Sequence, residues 1–239
     1  MSGPVTLPKR FYKHAHVDEA PEGGFSVRLD TRPVRTPGRA ELSAPTRALA
    51  EAIAEEWNAQ GEKIDPATMP LTRLANTIID GVLKTEQQVR DDIAAYAGTD
   101  LVCYRAGHPE GLVAAQQALW DPVLEWAASS LPARFAKVEG IVHVRQPEEA
   151  LQAVRAALAG HGAWMLAPLH VVTTLTGSAL LALAFAAGAM TPEEVWAAAH
   201  VDEDWQISQW GEDAEAAARR ARRRSEMEAA ARLLALSRA

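Results

Sequence analysis

The sequence predicts an α+β fold: a small N-terminal α/β two-layer domain over residues 1–85, followed by a mainly α-helical domain over residues 86–239. Three observations carry that expectation. Residues 10–37 alternate apolar with polar side chains between turn signals, as half-buried strands do. From Ser43 onward apolar residues recur at helical spacing behind N-cap residues. Ala163–Gly188 then runs for 26 residues without Asp, Glu, Lys or Arg, and an apolar helix of that kind needs other helices around it.

In chain order, Arg10–Val17 and Phe25–Leu29 read as strands joined at Gly23-Gly24. Asp30-Thr31-Arg32-Pro33 makes a second turn into a short returning strand, Val34–Thr36. This segment is locally basic, with seven Lys and Arg (Lys9, Arg10, Lys13, Arg28, Arg32, Arg35, Arg39) against Asp18, Glu19, Glu22 and Asp30. Ser43 is the expected N-cap of a first helix with Pro45 in its first turn and Leu49, Ile53 and Trp57 in its stripe. Leu71, Leu74, Ile78 and Val82 mark a second helix. Thr85-Glu86-Gln87-Gln88 has the capping-box pattern for a third, with Val89, Ile93 and Tyr96 turned inward.

Pro109 opens a helix burying Val113, Gln117 and Trp120, and Asp121-Pro122 is expected to restart it as N-cap and N1. Val138–Val144 reads as a short strand or an extended connection. Pro147–Ala159 is a helix with Leu151, Val154 and Leu158 in register, ended by Gly160. The uncharged stretch approaches the length of a membrane span, about 20 apolar residues. Pro168 and the cluster Thr173, Thr174, Thr176, Gly177, Ser178 divide it, however, and its flanks lack orienting Lys/Arg clusters. It is therefore expected as two pieces, Ala163–Thr176 and Gly177–Gly188, the second a buried central helix and no membrane insertion. Thr191-Pro192-Glu193-Glu194 starts the last helical region, with a break at Gly211.

Composition narrows the function classes. A formal net charge of −7 and 23% charged residues argue against disorder and against nucleic-acid affinity. The single cysteine, Cys103, excludes an internal disulfide and suits a reducing compartment. With no apolar secretory segment at the start, the expected location is the cytoplasm.

Charge is distributed unevenly near the C-terminus. Thr191–Ala218 holds eight acids and no Lys or Arg, interleaved with Trp196, Trp205, Ile207 and Trp210. Acids beside large aromatics fit a protein-binding face; a solvated acidic face with its tryptophans in the core is the alternative. The five arginines within Arg219–Arg224 could form a phosphate or nucleic-acid patch, but Glu226, Glu228 and the Ala-rich context favour a solvated helix end. Catalytic signals are sparse. There is no Gly-x-Ser-x-Gly elbow, no phosphate loop with Lys and no Cys/His zinc spacing. His14 and His16 would share a strand face as a metal pair or as two ordinary surface histidines. Cys103 lies in an apolar run, as a nucleophile or a buried thiol. Of His200, Asp202 and Asp204, only the first and last would share a helix face. No cofactor or metal is expected.

Several segments together carry a family resemblance: Arg10-Phe11-Tyr12-Lys13, Leu29–Pro37, Ala54-Glu55-Glu56-Trp57, Met69-Pro70-Leu71-Thr72, Thr99–Ala106, Trp120-Asp121-Pro122, Gly177–Ala184 and Asp202–Gly211. In this order the chain resembles the Atp12 family of F1-ATPase (ATP synthase) assembly chaperones. Thr31 stands where the family usually has Gly, which leaves the turn type there open, and after Gly211 the sequences diverge. The resemblance implies a small α/β domain followed by a helical one. It also implies a non-enzymatic, monomeric chaperone that binds the unassembled F1 α subunit and shields its interface until β replaces it. The family's eukaryotic members act in the mitochondrial matrix. Carried onto this chain, the implied partner-binding residues are Asp202, Glu203, Trp210, Glu212, Asp213 and Glu215. The competing expectation is an enzyme with a cryptic site near His14/His16 or Cys103.

Overall fold

The computed structural model describes residues 7–21 and 23–238; Glu22, one of the acids counted above, lies outside them. The fold is α+β, and the chain divides into two compact units. One holds the chain up to Thr85 with Ala163–Met165 and the residues from Ala229 on; the other holds Glu86–Gly162 and Leu166–Glu228.

In the first unit a four-stranded antiparallel sheet is organised on β2 (Phe25–Leu29), which pairs with β1 (Ala15–Glu19), β3 (Arg32–Pro33) and β4 (Ser43–Ala44). Val17 faces Val27 in the first pair. The connection uses Gly23 and Gly24 at φ 95° and 82°, a region open mainly to glycine. In the β2–β3 hairpin the residue at positive φ is Asp30 (51°). Thr31 is spared the left-handed conformation, so a side chain fits where the family usually has Gly. Residues 10–13, expected as strand, stay outside the sheet. Arg10 there donates to the carbonyls of Tyr12, Lys13, Asn58 and Gln60, leaving that backbone committed to side-chain partners instead of a ladder. The returning strand also begins earlier than expected, at Arg32, and continues as an isolated Arg35–Glu41 bridge.

Helix α1 (Arg47–Asn58) packs on β1 and β2, with Leu49 and Ile53 fully buried. Its N-cap is Thr46, whose hydroxyl accepts from Leu49 N at 3.2 Å. The expected cap, Ser43, is instead in β4, where pairing with Ser26 takes precedence over local capping. Glu56 on α1 is buried and its carboxylate accepts from Leu71 N (2.7 Å), Thr72 N (2.8 Å) and the Thr72 hydroxyl (2.8 Å). It thereby caps α2 (Pro70–Asp80), whose start has no cap of its own. At the other end of α2, Asp80 accepts from the Thr36 hydroxyl (2.6 Å) and Gly38 N (2.8 Å).

The second unit contains α3 (Glu86–Tyr96), α4 (Glu110–Ser130), α5 (Glu148–Ala159), most of α6 (Ala163–Thr176), α7 (Ala179–Ala186), α8 (Pro192–Ala199), α9 (Val201–Trp210) and the first part of α10 (Ala214–Leu236). Two short strands, β5 (Tyr104–Arg105) and β6 (Val138–Glu139), pair in parallel. All eight residues of α7 are buried, and α3, α4 and α8 contact it. No described helix is long and apolar enough to cross a membrane. The break falls at Gly177 (φ 70°), as the Thr/Gly/Ser joint predicts, while α6 runs through Pro168. That ring sits in the second turn and costs the one bond to the Trp164 carbonyl.

A second proline behaves the same way. Helix α4 is continuous from Glu110 to Ser130 with Pro122 inside it, correcting the expected restart at Asp121. Burial of Trp120 and Val123 on either side holds the helix through the missing donor. The residue turned inward on this helix is Gln116; Gln117 is exposed.

Asp100 organises the joint between α6 and α7. Fully buried, it accepts from Leu180 N (3.0 Å) and Val102 N (3.3 Å), and Leu101 N donates to the Gly177 carbonyl at 3.1 Å. With Ser178 Oγ accepting from Leu181 N at 3.0 Å, the first donors of α7 find partners although the helix end is buried. Burial pushes the Asp100 carboxyl up to about 6, against the opposing pull of these hydrogen bonds.

Candidate functional site

The acidic segment is carried by α8, α9 and the start of α10, and α4 holds it in place. Helix α8 opens with a capping box in which the Thr191 hydroxyl accepts from Glu194 N (3.2 Å) and the Glu194 carboxylate accepts from Thr191 N (2.7 Å). Along α4, three residues fix α8 and α9. Trp120 Nε1 donates to the Ala198 carbonyl at 2.7 Å. Buried Gln116 donates through Nε2 to Asp202 Oδ1 (2.7 Å) while its Oε1 accepts from Ala106 N (2.8 Å). At Gly111 the Trp205 ring comes so close that a Cβ would meet Cη2 at 2.3 Å.

The tryptophans therefore divide between two roles. Trp196 is buried, stacked on His200 with centroids 3.8 Å apart, and Trp205 is half-buried against Gly111. Trp210, at the end of α9, is 80% exposed. Directly after it Gly211 adopts φ 82°, ψ 176°, a conformation reserved almost entirely for glycine. Asp213 then starts α10, its Oδ1 accepting from Ala216 N at 2.8 Å.

Of the six residues expected to form the site, four line one concavity of about 240 Å³: Glu203, Trp210, Glu212 and Asp213, with Gln206 and Ile207 among its other walls. Glu212 and Asp213 are exposed, and Glu212 makes no ion pair among the described residues. Glu215 lies further along α10, 2.9 Å from Arg219. Asp202 is turned the other way, onto Gln116. Its carboxylate positions α9 while the residue stays partly exposed.

Arg220 is the residue sequence reasoning missed. The arginine run is not a helix end; it lies in the body of the 23-residue helix α10. Arg220 pairs with Asp204 and lies 4.0 Å from Glu203, so the charges of α9 are partly answered from within the chain. Arg223 donates to the Leu175 carbonyl, and Arg224 pairs with Glu228 at 3.1 Å. No local signal indicates the Arg220–Asp204 pair, because the two lie 16 residues apart on separate helices.

The candidate catalytic groups lie elsewhere. Cys103 is buried, and burial together with the nearby Asp100 charge pushes its thiol up to about 12. A nucleophilic thiolate is thus scarce at neutral pH. The His14 and His16 rings stack 6.1 Å apart, with His16 Nε2 3.8 Å from Asp18. His200, Asp202 and Asp204 turn to three different partners: Trp196, Gln116 and Arg220. Among the described residues no group of three or more His, Cys, Asp or Glu side chains is placed to hold a metal ion.

Comparison with known proteins places these features in a family. Residues 9–128 match the family of the ATP12 chaperone protein. Solved structures extend the likeness over 96% of the chain. Atu1473, a candidate chaperone from Agrobacterium tumefaciens, is 52% identical, with a TM-score of 0.93 and 86% of its own chain covered. Atp12 from Paracoccus denitrificans is 42% identical, with a TM-score of 0.92 and 98% of its chain covered. A mutant of the P. denitrificans protein matches with the same TM-score and 41% identity, over 98% of its chain.

Proposed function

The chain belongs to the ATP12 chaperone family, and from that premise we propose that it is an assembly chaperone of ATP synthase that holds the unassembled F1 α subunit until the β subunit takes its place. The contact face on this reading is Glu203, Trp210, Glu212, Asp213 and Glu215, with Asp202 setting the position of α9. The observation that carries the proposal is Trp210, 80% exposed beside the exposed acids Glu212 and Asp213 at the lip of a concavity. An exposed indole is the kind of aromatic anchor that protein interfaces bury at their centres.

The chemistry suits a temporary holder. An orphan subunit exposes an interface patch that aggregates unless covered. One large aromatic anchor supplies affinity and position. Carboxylates at an exposed rim act mainly on encounter rate and specificity and contribute little to holding strength. Such a complex forms readily and still yields to a partner that buries more surface. The reading is of a monomer without cofactor in the cytoplasm, a compartment that suits the single buried thiol.

The test is the aggregation of isolated F1 α subunit, followed by light scattering. Equimolar protein should suppress it, and the Glu212→Lys/Asp213→Lys variant should not, while keeping the wild-type circular dichroism spectrum. Unchanged scattering in the presence of the wild-type protein would sink the proposal.

A further inference from the structure

The first half of α10 rests on little. Of residues 214–226 only Ala216, Ala217 and Arg220 are shielded from solvent even in part. A helical segment of that length is marginal in water without tertiary contacts. Its tie to α9 is Arg220, whose side chain is 19% exposed while those of Asp204 and Glu203 remain 48% and 36% exposed. The guanidinium carbon also lies 5.9 Å from the centroid of the Trp196 ring, with that of Arg224 at 6.0 Å.

Two carboxylates and an indole around one guanidinium make a recognition site for arginine in particular, since the planar fork can pair with carboxylates and pack on an aromatic ring. These groups lie along a groove of about 460 Å³ lined by Trp196, Asp204, Arg220 and Arg224. Glu203 faces Arg220 and also lines the concavity that holds Trp210, and Ala217 lines both hollows, so the two are neighbours. Ion pairs with carboxylates this open exchange easily.

We infer that Arg220 is an internal occupant of a guanidinium site formed by Trp196, Glu203 and Asp204, and that a client docks by inserting an arginine of its own in its place. The inference rests on the client-holding reading of the same face. Arg220 keeps the carboxylates of α9 from collecting unrelated cations and sets a threshold for binding. A client segment clears that threshold by supplying a guanidinium together with an apolar group for Trp210.

Fluorescence anisotropy with labelled hexa-arginine and hexa-lysine tests this without the client. Arg220→Gln should bind hexa-arginine about 1.5- to 5-fold more tightly than wild type, the range expected on removing one competing exposed pair. Hexa-lysine should gain less, and adding Asp204→Asn should cancel the gain. Arg220→Lys, which keeps the charge and loses the fork, should lie between wild type and Arg220→Gln; it decides the matter should Arg220→Gln fail to fold. Unchanged or weaker hexa-arginine binding by these variants overturns the inference, as does an equal gain for hexa-lysine. If the peptide results hold while the α subunit still aggregates, the client reading alone falls. If α aggregation is suppressed and the peptide results fail, only the internal competitor falls.

Discussion

Two glycine joints in the helical unit meet opposite fates. At Gly177, between α6 and α7, an acid, a serine and a threonine are buried and fully engaged: Asp100 takes Leu180 N and Val102 N, Ser178 takes Leu181 N, and the Thr176 hydroxyl donates to Val172 O at 2.8 Å. At Gly211, between α9 and α10, an indole and two acids stand in solvent. Both joints use a positive φ, 70° and 82°, but ψ is 18° at Gly177, a left-handed cap, and 176° at Gly211, an extended turn open almost only to glycine. A further difference is burial: the polar groups at Gly177 are enclosed and paired within the chain, whereas those at Gly211 remain exposed although Asp213 also caps Ala216 N. At a buried joint each donor left without a partner costs roughly 1–3 kcal/mol. An exposed joint has water instead, which leaves its side chains free for another protein.

Perturbing each joint separates these roles, and the core joint gives the largest effect. Leu181→Ala in α7 removes a fully buried side chain and should cost about 2–5 kcal/mol in urea unfolding followed by tryptophan fluorescence. Next comes the charge at Asp100. Its folded-state pKa, raised to about 6 from 3.8, means that the folded protein holds this proton more firmly than the unfolded chain does. Its contribution is therefore fully present below pH 4 and is lost as pH rises through 6, by about 3 kcal/mol at 1.36 per pH unit. His200, whose pKa is lowered mainly by burial, runs the opposite way and loses its contribution as pH falls below 6.5. Subtracting the Asp100→Asn stability profile from that of wild type cancels His200, and the difference should fall between pH 4 and 7. A flat difference would show that Asp100 is ionised without penalty.

Smaller effects are expected around α9. Gly111→Ala forces a methyl onto the Trp205 ring and should cost about 1–3 kcal/mol. The same variant should weaken α-subunit holding, because α9 moves with Trp205. At the exposed joint, Glu212→Lys should change stability by no more than about 0.5 kcal/mol and Asp213→Lys, which removes the cap of α10, by about 0.5–2 kcal/mol, while the double variant should abolish suppression of α aggregation. If that variant unfolds the protein, Gly211 is a structural joint like Gly177.

Sequence patterns alone indicated much of this, and particular residues show where they stopped. The capping box at Thr191, the Gly23-Gly24 turn, the strand Phe25–Leu29 and the division of the apolar stretch at Gly177 are legible because each depends on neighbours within four residues. Ser43 has the pattern of a helix cap, but a distant strand claims it. Pro122 has the pattern of a helix start, but buried Trp120 and Val123 hold the helix through it. The acidic and aromatic composition around Trp210 was likewise visible as a pattern.

Which of those groups faces outward was decided only in three dimensions. Asp202 and Glu203 are adjacent and chemically similar, yet Gln116, 86 residues from Asp202 in the chain, draws one inward, while Arg220 meets the other at the surface. Local propensity and periodicity act through the backbone of one segment and can be read in order. The pairing of charges depends on which helices pack together, and that is settled by burial of apolar surface across the whole unit.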